Sequence, residues 1–154
     1  MKARYIVGMI CVIIGLGLAG QSWAADWVHY LSADTGEKYY DKSSIKVVNK
    51  KLVRVWTKTV LNENGKAEKF LFLKTIDAAP VNADIISYNL MLEEIDCIDE
   101  KYRSSSQMVY DENNAIIAAT PKKISEWNDI VPGSISDKLK NLVCTANKIS
   151  KPPK

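Results

Sequence analysis

The sequence predicts an α+β domain, a single antiparallel sheet of about six strands with a C-terminal helix packed on it and tied to it by a disulfide. Period-two alternation, rich in β-branched and aromatic side chains, recurs along most of the chain and indicates strands. Helical spacing of apolar residues replaces it near the C-terminus. Two cysteines, Cys97 and Cys144, follow the N-terminal apolar segment and are the predicted bridge.

The first 24 residues have the layout of a cleavable secretory signal peptide. Lys2 and Arg4 form a basic start, and residues 6–18 are apolar and uncharged. The segment Ser22-Trp23-Ala24 then places small side chains at positions −3 and −1 of the predicted cut. The apolar run is too short to span a bilayer stably, which disfavours a retained membrane anchor. Cys11 follows a large aliphatic residue inside this run, which disfavours a lipid-modified cysteine. We therefore expect an exported protein, either periplasmic or on the cell surface.

Cleavage of residues 1–24 leaves one domain over residues 25–150 and a tail over residues 151–154 that we expect to fray. Two of the 21 basic residues precede the cut and all 18 acidic residues follow it, so the mature chain has 19 basic and 18 acidic residues. A mature net charge of +1 without a basic stripe predicts neither a nucleic-acid partner nor membrane insertion after cleavage. About 130 residues suffice for a single hydrophobic core.

Short strands are predicted for the first part of the mature domain. Residues 27–31 and 38–40 are β-prone runs, separated by a turn signal at residues 34–36. Residues 52–60 alternate between two sets of side chains rich in β-branched and aromatic types, which is typical of a strand.

A hairpin is the prediction for the next segment. Asn64-Gly65 marks the turn, within residues 62–66, because both residues tolerate positive φ. Residues 70–76 are then the predicted return strand.

Further strands are predicted in the second half. Residues 85–94 alternate, although the composition of residues 90–96 leaves a helix open as an alternative there. Residues 102–110 alternate more loosely, and residues 115–120 follow an Asn-containing turn and pair back on them. The spacing predicts an antiparallel meander.

A C-terminal helix begins after a capping-box signal formed by Ser134 and Asp137. Cys144 falls nearly opposite Ile135 at ~100° per residue, so either the helix distorts near its end or it is covered on more than one side. The predicted apolar stripe, which should face the sheet, consists of Ile135, Leu139, Leu142, Val143 and Ala146.

Cys97 and Cys144 are the cysteines that remain after cleavage. An even number of thiols on a small exported domain indicates a disulfide. Their separation in sequence and the lack of a CxxC motif disfavour a metal pair or a redox couple. A bridge closing a loop of this length is expected to stabilise the fold by about 4 kcal/mol.

The residue types of common catalytic and metal sites are scarce. His29 is the single histidine, and a lone histidine in a strand favours a surface or packing role. A catalytic triad would have only this one base, a Cys-His pair has no spare cysteine, and a zinc site lacks ligands. The densest acidic group begins at Glu93 and Glu94, which point to opposite faces of a strand and cannot form a carboxylate pair. With Lys101 and Arg103 nearby, this group predicts a solvated, partly ion-paired edge, and its spacing matches no EF-hand. Phosphate-binding glycine patterns are also absent. We expect no enzyme, no cofactor and no metal.

Aromatic residues are numerous for a domain of this size. Most should pack in the core or on the sheet. Those exposed on a sheet face would suit a protein partner, because Trp and Tyr dominate interface hot spots. The set is Trp27, Trp56, Trp127, Tyr30, Tyr39, Tyr40, Tyr88, Tyr102 and Tyr110.

Several short motifs follow one another in a recognisable order. They are Trp27, Tyr39-Tyr40-Asp41 with Ser44-Ile45, Val53-Arg54-Val55-Trp56, Glu94-Ile95-Asp96-Cys97, Lys101-Tyr102-Arg103, Tyr110-Asp111, Trp127, Pro132-Gly133-Ser134 and Val143-Cys144. In this order, over about residues 26–145, the chain resembles the surface-adhesin protein E-like domains of bacterial envelopes. The resemblance implies an antiparallel sheet with a C-terminal helix tied by the Cys97–Cys144 bridge. It also implies binding of host matrix or serum proteins.

Two functional hypotheses follow. The first is an exported adhesin-like binding domain that uses a sheet face or edge and has a protein partner, with a homodimer as one form of assembly. The second is a soluble periplasmic accessory protein of the cell envelope that has no host ligand. The sequence assigns no binding residues to either hypothesis.

Overall fold

The computed structural model describes residues 24–120 and 125–149. Residues 1–23 of the predicted signal peptide, Cys11 among them, lie outside this part of the chain, as does the predicted tail. Within the described residues, no helix combines the length and the apolar character needed to cross a membrane.

The described residues form one antiparallel sheet and two α-helices. Six strands lie in the order β1-β2-β4-β5-β6-β7, while β3 pairs with β4 and β8 with β6. The predicted α+β fold is confirmed, and the segment that could have been a helix is the central strand β5. In chain order the elements are β1 (Trp27–Ala33), β2 (Gly36–Asp41), a 3-10 turn (Lys42–Ser44), β3 (Lys46–Val47), β4 (Leu52–Leu61), α1 (Glu63–Thr75), a 3-10 turn (Ala83–Ile85), β5 (Tyr88–Asp96), β6 (Lys101–Tyr110), β7 (Ile116–Thr120), β8 (Asn128–Asp129) and α2 (Ile135–Ala146).

Both helices pack on the same face of the sheet. Beneath α2, Val53 and Ile95 from the sheet contact Leu139 and Val143, and all four side chains are buried. A second buried group lies beneath α1 and consists of Leu61, Leu73, Ile86 and Val109. Burial of this apolar surface is the main source of stability in a fold of this size.

The Cys97–Cys144 disulfide joins the end of β5 to the last turns of α2 across 47 residues of sequence. The start of α2 is held by its predicted cap. The Ser134 hydroxyl accepts a hydrogen bond from the Asp137 backbone N–H at 3.2 Å, and the Asp137 carboxylate accepts one from the Gly133 N–H at 2.9 Å. Both ends of α2 are therefore fixed by features that were visible in the sequence.

The predicted apolar stripe of α2 is wrong in part. Leu139, Val143 and Cys144 are buried, whereas Ile135 and Leu142 are each 40% exposed. The disulfide turns Cys144 towards the sheet, so the buried face of the helix is rotated away from Ile135 and Leu142. Neither alternative offered by the sequence describes this rotation. Ala146, the remaining member of the predicted stripe, is exposed as well.

Residues 62–76 are the main departure from the prediction, because a helix replaces the expected hairpin turn and return strand. Asn62 is the N-cap of α1, and its side-chain oxygen accepts a hydrogen bond from the Gly65 backbone N–H at 3.0 Å. Asparagine and glycine suit helix starts as well as turns, and the residues that follow are mostly good helix formers. Leu73 is fully buried and Phe70 packs beside it, which fixes α1 on the sheet.

Gly65→Ala is expected to lower the free energy of unfolding by about 1–3 kcal/mol, as overpacking does. A Cβ at Gly65 would lie 2.0 Å from the backbone oxygen of Thr35, and a backbone atom has little freedom to move away. This clash outweighs the ~1 kcal/mol by which alanine favours a helix over glycine. Urea denaturation measures the change. Asn64→Ala, an exposed position in the same turn, should stay within about 0.5 kcal/mol of wild type. Equal stability of the two variants would show that α1 does not pack this closely.

Candidate functional site

The face of the sheet opposite the helices is the candidate functional site. Along β4, Val53 and Val55 point under the helices, so Trp56 and Lys58 point the other way. We call this surface the open face, and most of its side chains are at least partly exposed. Strand pairing places on it, among others, Trp27, His29, Ser32, Glu37, Tyr39, Arg54, Trp56, Lys58, Val60, Tyr88, Leu90, Leu92, Glu94, Arg103, Ser106, Met108, Tyr110, Ile116 and Ala119.

Lys58 lies at the centre of the open face among aromatic rings. Its ammonium is 4.8 Å from the ring centroid of Trp27, 5.5 Å from that of Tyr39 and 5.8 Å from that of Tyr88. Partial burial lowers the pKa of Lys58. Strand register brings these residues together, because Tyr39 pairs with Lys58 across β2 and β4. The rings attract the cation through their negative faces and keep it on the sheet.

Two stacked tyrosines continue this surface. Tyr88 and Tyr110 face each other across β5 and β6, with ring centroids 4.7 Å apart and ring planes 6° from parallel. The Tyr88 hydroxyl donates a hydrogen bond to the Asn114 side-chain oxygen at 3.0 Å. Val60 and Ile116 flank the stack and are exposed. This end of the open face is therefore apolar with fixed aromatic rings.

The opposite end carries a buried carboxylate between two arginines. Glu94 is 2% exposed and accepts hydrogen bonds from the Arg54 Nε at 2.9 Å and the Arg103 Nε at 2.8 Å. Burial favours a higher pKa for Glu94, but the hydrogen bonds from the arginines outweigh it and the pKa is lowered. The Arg103 guanidinium also lies 4.2 Å from the ring centroid of Trp127. Glu94 thus holds both arginines in place on the surface.

The predicted solvated, partly ion-paired acidic edge is wrong for Glu93 and Glu94, because both lie in the central strand β5. Glu93 and Glu94 do point to opposite faces, as expected, and each carboxylate has hydrogen-bond partners on its own face. Glu93 is on the helix-covered face, where its carboxylate accepts a hydrogen bond from the Ser104 hydroxyl at 3.0 Å. Burial raises the pKa of Glu93 to about 7, although Ser104 and the charge of Lys38 act in the other direction. The predicted neutralisation by Arg103 is found at Glu94.

The raised pKa of Glu93 predicts a pH-dependent stability. Between its ordinary pKa and about 7, the folded state binds more protons at this site than the unfolded state, so stability falls as pH rises through this interval. The contribution is about 3 kcal/mol for a shift of this size. Urea denaturation across this range should show a flatter dependence for Glu93→Gln than for wild type. Glu68→Gln, an exposed position on α1, should keep the wild-type slope, and the same slope in Glu93→Gln would contradict the assignment.

His29 belongs to the open face and is exposed. Its Nε2 lies 2.6 Å from the Glu37 carboxylate, and its ring meets that of Tyr39 edge-on at 5.2 Å. The Ser32 hydroxyl and His29 hold the pKa of Glu37 below its usual range. Over residues 24–120 and 125–149, no three His, Cys, Asp or Glu side chains lie together in a way that could hold a metal ion.

The aromatic residues divide between the two faces. Tyr30, Tyr40 and Tyr102 pack against the core beneath α2. The sequence singled out aromatics as binding candidates but missed Lys58 and Leu90, which are central to the open face. The alternation of β4 and β5 could have located them once the buried side of one strand was known. The aromatics of the open face are Trp27, Tyr39, Trp56, Tyr88 and Tyr110.

The family model described as surface-adhesin protein E matches residues 27–145, which span the whole sheet and nearly all of α2. No curated protein matches the chain significantly.

Solved structures of protein E from Haemophilus influenzae share the fold. The crystal structure of protein E from non-typeable Haemophilus influenzae superposes with a TM-score of 0.57 at 14% identity, covering 86% of this chain and 85% of that one. Crystal form II of Haemophilus influenzae protein E gives a TM-score of 0.54 at 16% identity, covering 71% and 80%. At this level of identity the likeness concerns the fold alone.

Proposed function

Since the chain belongs to the surface-adhesin protein E family, we propose that it is an exported, non-enzymatic binding domain that contacts host or envelope proteins through the open face. The observation that carries this proposal is the placement of both helices on one side of the sheet, which leaves the other side to a partner. Partner-binding surfaces are enriched in Trp, Tyr, Met and Arg, and the open face contains all four types.

The centre of the open face has the composition of an interface hot spot. Trp56 and Leu90 lie next to Lys58 on this face and leave part of their apolar area exposed, and the ring of Tyr39 lies beside its ammonium. Within the described residues Lys58 forms no ion pair, so its ammonium is free to meet an acidic group of a partner. A charge surrounded by rings that exclude water binds an opposite charge more strongly than an exposed one does.

Charge reversal at Lys58 tests the proposed face. Lys58→Glu is expected to weaken binding to immobilised extracellular-matrix and serum proteins at least tenfold, because it places a carboxylate where the partner meets a cation. Lys138→Glu makes the same charge change on the exposed side of α2 and should bind like wild type. Surface plasmon resonance measures both. If both variants lost binding equally, or if neither lost binding, the contact with the partner would lie elsewhere. Sedimentation of the same variants tests whether a homodimer also uses this face.

Protease treatment of intact cells separates this function from that of a periplasmic accessory protein. A surface-displayed domain should be cleaved on intact cells, and a known periplasmic protein in the same sample should stay intact. Protection of the domain until the outer membrane is permeabilised would favour a periplasmic accessory role without a host ligand.

A further inference from the structure

A polar cavity lies on the helix-covered side of the sheet, away from the open face. It has a volume of about 250 Å³ and is bounded by α1 and by strands β2, β4 and β5. A smaller cavity of about 60 Å³ adjoins it, lies against α2 and contains Glu93. Lys38, Thr59 and Met91 line both cavities. The two helices therefore leave a gap over the middle of the sheet, and its floor is polar.

Lys38 is the central cation of this cavity. Its Nζ donates a hydrogen bond to the Thr59 hydroxyl at 3.2 Å, and no described carboxylate lies within ion-pair distance of it. Burial lowers the pKa of Lys38, although the charges of Glu93 and Glu68 act in the other direction. A partly buried ammonium normally has a charged partner, because loss of its hydration is costly.

Lys69 brings a second cation into the same cavity from α1. Burial lowers its pKa, and the charge of Lys38 lowers it further, against the attraction of Glu68. The Lys69 Nζ lies 5.3 Å from the ring centroid of Phe72, and no described carboxylate forms an ion pair with it. Two ammonium groups that repel each other therefore share one small cavity.

The rest of the lining suits a small ligand with one charged end. Glu68 is the one carboxylate in the lining and is exposed, so the described lining carries a net positive charge. Thr35 and the buried Asn89 add hydrogen-bonding groups, and Met91 and Phe72 add apolar surface. An apolar wall with a few convergent polar groups is the usual composition of a small-molecule site.

We propose that this cavity binds a small organic anion whose carboxylate or phosphate group lies between Lys38 and Lys69. An anion there would neutralise the repulsion between the two ammonium groups, and its body would contact Met91 and Phe72. This site is independent of the partner-binding role proposed for the open face, because it lies on the other side of the sheet.

Titration of the purified mature chain with hexanoate and with inorganic phosphate tests the proposal. The side-chain NMR signals of Lys38 and Lys69 should shift saturably with at least one of these probes. Lys69→Met should weaken that binding at least tenfold, since it removes a charged hydrogen-bond donor. Lys74→Met is the matched control on α1, because Lys74 lies over the Phe70 ring and outside the cavity. This control should bind like wild type.

The two probes distinguish the sources of the anion. Tighter hexanoate binding would identify a carboxylate with an apolar body, and tighter phosphate binding would identify a phosphate ligand. The proposal is overturned if neither probe gives a saturable shift, or if Lys69→Met binds as tightly as wild type. Lys69 comes from the surface of the helix, so this variant decides the question even if Lys38→Met fails to fold.

Discussion

Replacing both bridge cysteines, as Cys97→Ala with Cys144→Ala, is expected to lower the free energy of unfolding by about 4 kcal/mol. The bridge spans 47 residues of sequence, so its loss frees a long loop in the unfolded chain. Both cysteines also belong to the buried cluster between α2 and the sheet, so some packing is lost as well. The free energy of unfolding of a typical domain is about 5–15 kcal/mol, so this loss would be a large share of it.

Urea denaturation of the variant and of the reduced wild-type chain measures this contribution. The two should agree within about 1 kcal/mol, because both remove the same cross-link. The open face is built from strands, so under native conditions the variant should keep the partner binding of wild type. A stability loss below about 1 kcal/mol would mean that α2 is held by packing alone.

Glu94→Ala is expected to destabilise the fold by about 3 kcal/mol, at the lower end of the range for breaking a buried ion pair. The substitution leaves Arg54 and Arg103 facing each other without a carboxylate between them. Their side chains are 33% and 21% exposed, so water offsets part of the cost. The effect should therefore exceed that of an exposed ion pair and stay below that of a fully buried one.

Asp99→Ala is the matched control for Glu94→Ala. Asp99 is an exposed partner of Lys51, and its removal should cost less than about 1 kcal/mol in urea denaturation. A similar loss in the two variants would contradict a special role for Glu94.

The dependence of stability on acidic pH gives a second test of the role of Glu94. Its lowered pKa stabilises the fold above the ordinary pKa of a glutamate, and this contribution is lost as pH falls through the lowered value. Glu94→Gln should therefore show less acid destabilisation than wild type below about pH 4.5.

Local patterns predicted most of the sheet because each strand carries its own signal. The alternation of β4 is set by one buried face, and the cap of α2 depends on Ser134 and Asp137 alone. The segment from Asn62 misled the prediction because Asn and Gly favour both turns and helix starts. Only the packing of Leu73 against the sheet decides between the two, and that contact is not local.

The two proposed binding sites could not be predicted from the sequence for the same reason. The open face exists because α1 joins α2 on one side of the sheet, and the prediction lacked α1. Lys38 and Lys69 come close together only because α1 lies over β2, and nothing in the sequence around either lysine indicates this packing. The rotation of α2 likewise depends on the geometry of Cys144 and the sheet.

Site-specific photo-crosslinking on intact cells tests the central claim, that partners meet the open face. Benzoylphenylalanine in place of Tyr39 samples the open face, and the same group in place of the exposed Leu142 samples the outer side of α2. Adducts with host or envelope proteins from position 39 and none from position 142 are the expected result. Adducts from position 142 alone, or from neither position, would contradict the proposal that this domain binds its partners through the open face.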